Sequence, residues 1–578
     1  MYDKLNKMEK IVFDVLAVSL VLFYSYSSVL KPAATQYHRG IYIIITYILV
    51  FLLYKSKNKI LRIVDYVLIF LSIFSIGYWM LNFEAINYRT GAETPFDMFV
   101  AVIGVLIGIE LARRVVGNVF VVLGVVMLVY GVYGDYAPEL FSHAGDTFPG
   151  LCTSIFYKSD GVFGIMANVL ATYVILFVLF GAFLEKSGAQ RFFIDFPLAA
   201  VGHRIGGPAK VSVIASALFG SISGSAIANT VSTGAFTIPM MKKAGFRPHI
   251  AGAIEPAASI SGMFLPPIMG AGGFIMAELT GVPYSKIMLI AIFPALMYVF
   301  SVYNMVHFEA KIHNIKGEKS EHPAMQILKN QWYYIMPLVV ITVFMLAGYS
   351  PGYSAILGMA TCLIVSWFKT DTRITPKRFL EASRAGAESS LKIGATVGVI
   401  GIIIGVLTYS GLVLTFADIV IELAGGSLVL TILFIALASL VLGMGVPVTA
   451  AYLITAVVAV PPLIHLGVNE VAAHMIVYWL SQDSNITPPV CIAAFAGATI
   501  AKANMWKTAF SSFKFAKFLY LSPFLFGYVP GYSLQGGTMA IAKTFVLIII
   551  GTYLYSYIMS FHWGYYLNRK YFKKVQAA

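Results

Sequence analysis

Two carboxylates stand where an apolar chain should not have them. Glu255 opens EPAASISGMFLPPIMG and Asp483 lies in SQDSNITPPV, eleven and five residues before a Pro-Pro pair. An ionised side chain at membrane depth is costly and must face a cavity or a partner. Three roles are open to both: holding Na⁺, carrying a coupling proton, or capping a half-helix. Around Glu255 lie Ser259, Ser261, Pro266 and Pro267; around Asp483 lie Ser481, Ser484, Asn485, Thr487, Pro488 and Pro489. Proline breaks a helix and frees carbonyls. Free carbonyls with Ser/Thr hydroxyls suit a hard cation such as Na⁺, and half-helix N-termini suit an anionic substrate group.

Each of these breaks follows an apolar stretch that is itself interrupted. PAKVSVIASALFGSISGSAIANTVSTGAFTIPMM (208–241) has the tip Ser221, Ser223, Gly224, Ser225, with Asn229 just beyond. LTILFIALASLVLGMGVPVTAAYLITAVVAVPPL (430–463) breaks at Gly443 and Gly445, with Thr449 following. Glycine and serine make a poor continuous helix, and non-helical backbone survives in a membrane only when buried in protein or lining a cavity. Both stretches therefore read as re-entrant helical hairpins. Ser221, Ser223, Gly224, Ser225, Gly443, Gly445, Thr449 and Thr487 are the candidate cation ligands. Asn229, Glu255, Ser259, Ser261, Pro266, Pro267, Ser481, Asp483, Ser484, Asn485, Pro488 and Pro489 are the candidate substrate or coupling residues. No lysine or arginine lies within 211–241 or 443–501. An anionic substrate would rely on helix N-termini, amides and hydroxyls unless Lys392 or Arg247 reaches in.

The elements that position these residues are membrane helices. The chain has 578 residues, 59% hydrophobic and 11% charged, with mean hydropathy +0.82, where a soluble protein carries about a quarter charged residues. The net charge of +14 falls in short clusters between apolar spans, as the positive-inside rule predicts, and does not point to nucleic acid. Three scattered cysteines give no disulfide or zinc spacing. Acidic loops at 82–95, 134–160 and 413–427 alternate with basic ones. That pattern predicts about 14 crossings plus the two hairpins, all helical, with both termini cytoplasmic and a basic tail at Arg569, Lys570, Lys573 and Lys574. Gly104 and Gly108 form a GxxxG that predicts close helix packing.

The two hairpins are copies. An offset of 222 aligns the two Pro-Pro pairs and also Pro239 with Pro461, Gly245 with Gly467, Ala251 with Ala473 and Ser259 with Ser481. Five predicted spans separate the hairpins, an odd number, so the copies enter from opposite faces. Inverted repeats with broken helices are the signature of a secondary transporter.

GSISGSAIANTVSTGAFTIPMMKKAGF, AGAIEPAASISGMFLPPIMGAGGFIMAELTG, GMGVPVTAAYLI and AAHMIVYWLSQDSNITPPVCIAAFAGA resemble the large membrane subunit of tripartite ATP-independent periplasmic (TRAP) transporters. The resemblance covers roughly 160–530. It implies an elevator transporter of a bacterial or archaeal inner membrane, taking an organic acid from a soluble periplasmic binding protein and driven by Na⁺ or H⁺. Residues 1–155 would correspond to the small subunit, fused in front, and 156–530 to the large one, with repeats at about 190–306 and 412–530. Residues 531–578 add one helix and the basic tail. GAIEPAASISG resembles the branch served by TAXI-type binding proteins. Leu265 replaces the hydroxyl that Thr487 provides, so the two cation sites are not expected to be equivalent.

Other classes fit less well. There is no HExxH, no P-loop and no GxGD motif, so an enzyme is not expected, nor any cofactor beyond the coupling ion. The alternative is a standalone carboxylate or ion carrier of similar hairpin fold that works without a binding protein.

Overall fold

The computed structural model describes residues 2–560 apart from 57, 319 and 321; the basic tail expected at Arg569–Lys574 lies outside the described residues. Helices are the only regular structure among the described residues. In a bilayer every backbone donor and acceptor must be satisfied internally, and the helix does this within one segment. Among the described residues, ten helices are long and apolar enough to cross a membrane, from Lys7–Val29 near the N-terminus to Thr538–Met559. Large apolar side chains such as Leu22, Val122, Leu437 and Ile550 are exposed on the outside of the bundle, which lipid tolerates and water would not.

Ten is fewer than the crossings expected, because several predicted spans are divided. The stretch at 249–277 forms Pro248–Ser259, Ser261–Phe264 and Gly270–Thr280, interrupted where Pro266 and Pro267 lack an N–H. The stretch at 471–501 divides in the same way into Glu470–Leu480, a turn at Asp483–Asn485, and Ile492–Ala501. Both Pro-Pro bonds are cis, and Met269 and Cys491 carry positive φ after them. Asn118–Val132 and Pro351–Ser366 are apolar but shorter than a full span.

The offset of 222 runs through the fold. In the first copy a hairpin has a leading arm Gly207–Ser223 and a trailing arm Ala226–Lys243; in the second the arms are Leu428–Leu442 and Val448–His465. Ile175–Lys186 matches Val397–Tyr409, and the amphipathic Ala189–Val201 matches Leu412–Leu423. Each of these helices, like the half-helices above, starts 222 residues from its counterpart to within one residue.

The N-terminal helices lean on the helices flanking these units. Asp14 and Arg384 form an ion pair, and Arg39 donates to Phe163 O at 2.7 Å. The GxxxG packs closely, as its spacing predicts: a Cβ on Gly108 would lie 3.0 Å from Gly398 Cα, and one on Gly104 would strike the Phe156 ring.

Candidate transport site

In each copy the hairpin tip meets the break of its own unit. At the first, Gly220 and Gly262 approach so closely that a Cβ on Gly262 would lie 2.3 Å from the Gly220 carbonyl carbon. Gly224 has φ +58, and a Cβ on it would lie 2.8 Å from Gly270 Cα. Only glycine allows both the turn and the contact. At the second tip, a Cβ on Gly443 would lie 2.7 Å from Ser484 Cβ, and Gly445 turns the chain at φ +82. The sequence-derived tip and break residues are thus brought together within each copy.

The first unit is stitched by hydroxyls around one carboxylate. Glu255 is fully buried. It accepts from Ser212 and Ser216 on the leading arm and from Thr233 and Thr237 on the trailing arm. Ser259 Oγ lies 3.4 Å away on its own helix. Each pair is spaced i,i+4, which places both members on one helix face. A carboxyl group offers about four acceptor positions when ionised, and four hydroxyls from the two arms converge on this one. Asn229 Nδ2 adds a bond to Ser216 O at 2.8 Å.

Other hydroxyls at the first tip are engaged locally. Ser221 donates to Leu218 O at 2.8 Å and Ser261 to Ala258 O at 2.6 Å. Ser225 caps the trailing arm by accepting from Ala228 N, and Ser223 Oγ lies 3.5 Å from Ser225 N.

The second unit is built differently. The positions matching Ser212, Ser216, Thr237 and Glu255 are Phe434, Ala438, Ala459 and Val477. Its polar residues gather in the break instead. Ser481, Gln482, Asp483, Ser484 and Asn485 are all buried. Ser481 donates to Tyr478 O at 2.7 Å, Asn485 Nδ2 to Gln482 O at 3.3 Å, and Thr487 Oγ1 meets Tyr520 Oη. Asp483 Oδ1 and Gln482 Oε1 have no hydrogen-bond partner among the described residues. Thr449 is buried in the first turn of the trailing arm. Arg247 and Lys392 are both exposed, so neither lies buried among the break residues.

Ser212, Ser216, Thr233 and Thr237 are not among the residues expected from sequence, although their i,i+4 spacing is visible there. Neither are Gln482, Tyr284 and Tyr478. Tyr478 lies in the second copy, but its hydroxyl reaches into the first, where its one proton is within hydrogen-bond reach of Met263 O or, at 2.5 Å, Met269 O; no local pattern carries that contact. Among the described residues no group of three or more His, Cys, Asp or Glu comes together, so cation ligands here would be carbonyls, hydroxyls and single carboxylates.

Comparison with known proteins identifies the family. The family model "Tripartite ATP-independent periplasmic transporter, DctM component" matches residues 103–532. A putative TRAP transporter large permease protein of Haemophilus influenzae is 27% identical over 320 residues, 54% of this chain and 74% of the relative. The C4-dicarboxylate TRAP transporter large permease protein DctM of Pseudomonas aeruginosa is 24% identical over 405 residues, 67% of this chain and 92% of the relative. The sialic acid TRAP transporter permease protein SiaT of Haemophilus influenzae is 23% identical over 57% of this chain and 53% of its own length. Among solved structures, the YdaH transporter of Alcanivorax borkumensis aligns at a TM-score of 0.48 with 16% identity, covering 72% of this chain and 98% of that one.

Proposed function

The chain belongs to the DctM family of tripartite ATP-independent periplasmic transporters, and from that premise we propose that it is a fused permease whose import of a small organic acid is driven by a Na⁺ or H⁺ gradient. Family membership makes it a multi-pass inner-membrane transporter and not an enzyme. Permeases of this family work with a periplasmic substrate-binding protein. The finer reading is that the partner is of TAXI type, that both termini are cytoplasmic, and that residues 1–155 take the place of the separate small subunit. The repeats are read as inverted, with the two hairpin units moving together as an elevator against the helices on which the N-terminal region rests.

The observation that carries this reading is the duplicated hairpin-and-break unit, with each tip seated on its own break. Half-helix ends and freed carbonyls near the middle of a membrane are where such transporters hold substrate and ion. The relatives named for a substrate carry C4-dicarboxylate and sialic acid, both organic acids. That supports a dicarboxylate, keto acid or amino acid here, met by helix N-termini and amides in place of a buried lysine or arginine. Na⁺ is the preferred coupling ion and H⁺ the alternative. Asp483 is its coupling carboxylate, while Glu255 positions the first hairpin.

Proteoliposomes holding the full chain test this, with labelled dicarboxylates, keto acids and glutamate offered in turn. Uptake should require both an imposed Na⁺ or H⁺ gradient and the cognate binding protein. Full-rate uptake without the binding protein would overturn the tripartite reading.

A further inference from the structure

The family match ends at residue 532, and the chain continues into a further helix, Thr538–Met559. That helix packs on Tyr284–Ile312. Phe545 stacks on Phe293 with ring centroids 3.6 Å apart, and Ser556 Oγ lies 3.1 Å from Ser301 Oγ. Ile548, Thr552 and Ser556, spaced i,i+4, form its buried edge. The rest of its surface is open: 11% of its most apolar 18 residues are buried, against 28% or more in every other candidate span among the described residues. In a membrane such a surface meets acyl chains.

Against its second neighbour, Phe518–Tyr528, the helix does not close. Between them lies a groove of about 330 Å³, walled by Phe518, Leu521, Leu525 and Val529 on one side and by Leu547 and Gly551 on the other, with no charged side chain in its lining. Gly551 keeps part of it empty, since a Cβ there would meet nothing within 4 Å. The two walls touch only toward the ends. At one, the Phe518 and Tyr555 rings meet edge to face, centroids 6.2 Å apart; at the other, a Cβ on Gly531 would lie 2.5 Å from Thr544 Oγ1. Beside the Phe518 end stands Lys517, its Nζ 3.8 Å from Met559 Sδ. A helix of a second copy, about 10–12 Å across with its side chains, is too thick for this groove. A single acyl chain is not, and the ammonium at its end complements the phosphate of a lipid headgroup.

We propose that the groove seats one acyl chain of an anionic phospholipid whose headgroup is held at Lys517. The lipid has a place in the repeat. At the offset of 222 Tyr284 corresponds to Trp506, so Tyr284–Ile312 is the counterpart of Met505–Phe515 and Phe518–Tyr528 together. The added helix rests on the first of these counterparts through side chains and on the second through the lipid, which joins it to both copies.

Photolabelling of the full chain tests this in vesicles of phosphatidylethanolamine and phosphatidylglycerol. The probe is a phosphatidylglycerol with a diazirine halfway along one acyl chain, and adducts are mapped by peptide mass spectrometry. Adducts should concentrate on residues 518–529 and 544–552 over other lipid-exposed helices such as Lys59–Leu81. Gly551→Leu, which fills the empty space and suits a helix better than glycine, should remove that enrichment. Gly77→Leu, in Lys59–Leu81, also places its Cβ in open space and should leave the enrichment as it is. Lys517→Gln should lower it about fivefold, by loss of one cation near the membrane surface. Even labelling of all lipid-exposed helices, or enrichment that survives Gly551→Leu, overturns the groove as a lipid seat. Enrichment indifferent to Lys517→Gln overturns the headgroup contact.

Discussion

Hairpin one and hairpin two start from the same plan and are held in place by opposite means. The first has a carboxylate at its centre, with hydroxyls from both arms pointing inward, and its tip touches the break backbone to backbone. The second has Phe434, Ala438, Ala459 and Val477 at the matching positions. Its tip touches a side chain, Ser484, and its unsatisfied acceptors lie in the break. Duplication supplies the frame, and divergence has moved the polar groups from the arms of one unit to the break of the other. Two buried acids at related places in the fold thus have different surroundings. Glu255 has its lone pairs filled by protein; Asp483 does not.

The largest expected effect of breaking this contrast is on Glu255 itself. Glu255→Ala should destabilise the chain by about 3 kcal/mol, leaving a cavity and four hydroxyls without their acceptor. The loss is limited because Thr233 and Thr237 can turn back to Asn229 O and Thr233 O, at 2.7 and 3.1 Å. Glu255→Gln should cost about half as much. A fall in thermal unfolding temperature in detergent reports both, and Ala and Gln variants as stable as the parent would show the cradle to be idle.

A smaller effect is expected where the tips are seated. Gly262→Ala forces a Cβ onto Gly220 backbone and should cost about 1–3 kcal/mol. Gly443→Ala places its Cβ 2.7 Å from Ser484 Cβ and 3.0 Å from Ser439 O, a looser fit than Gly262 has against Gly220, and should cost less. Equal shifts in the two thermal scans would remove the distinction between backbone and side-chain seating.

The smallest effect compares matching threonines. Thr233→Val removes a donor to Glu255 and should cost about 1 kcal/mol. Thr455, its counterpart, is buried with Oγ1 unpartnered among the described residues, so Thr455→Val should be neutral or stabilising by up to about 1 kcal/mol. The signs should differ in the same unfolding assay.

Much of this architecture is legible in the sequence, for physical reasons. Pro, Gly and Ser interrupt a membrane helix wherever they cluster, so the tips at Gly224 and Gly445 and the breaks at Pro266 and Pro488 could be placed, and their shared offset exposes the copies. Gly104 and Gly108 announce a close crossing but not its partner, Gly398, which lies far along the chain. The count of full spans was less legible, because hydropathy does not register where a half-helix ends. Least legible was the difference in surroundings between the two acids. It depends on Ser212, Ser216, Thr233 and Thr237 turning toward one carboxylate, and on Tyr478 crossing between copies, and both are tertiary facts.

The most direct test compares Glu255→Gln with Asp483→Asn in reconstituted, binding-protein-dependent uptake, with initial rates followed against the concentration of the coupling cation. Glu255→Gln should keep the cation dependence of the parent, with a lower rate at most, and Asp483→Asn should lose stimulation by the cation. A Glu255→Gln chain that loses cation dependence beside an Asp483→Asn chain that retains it would contradict the account.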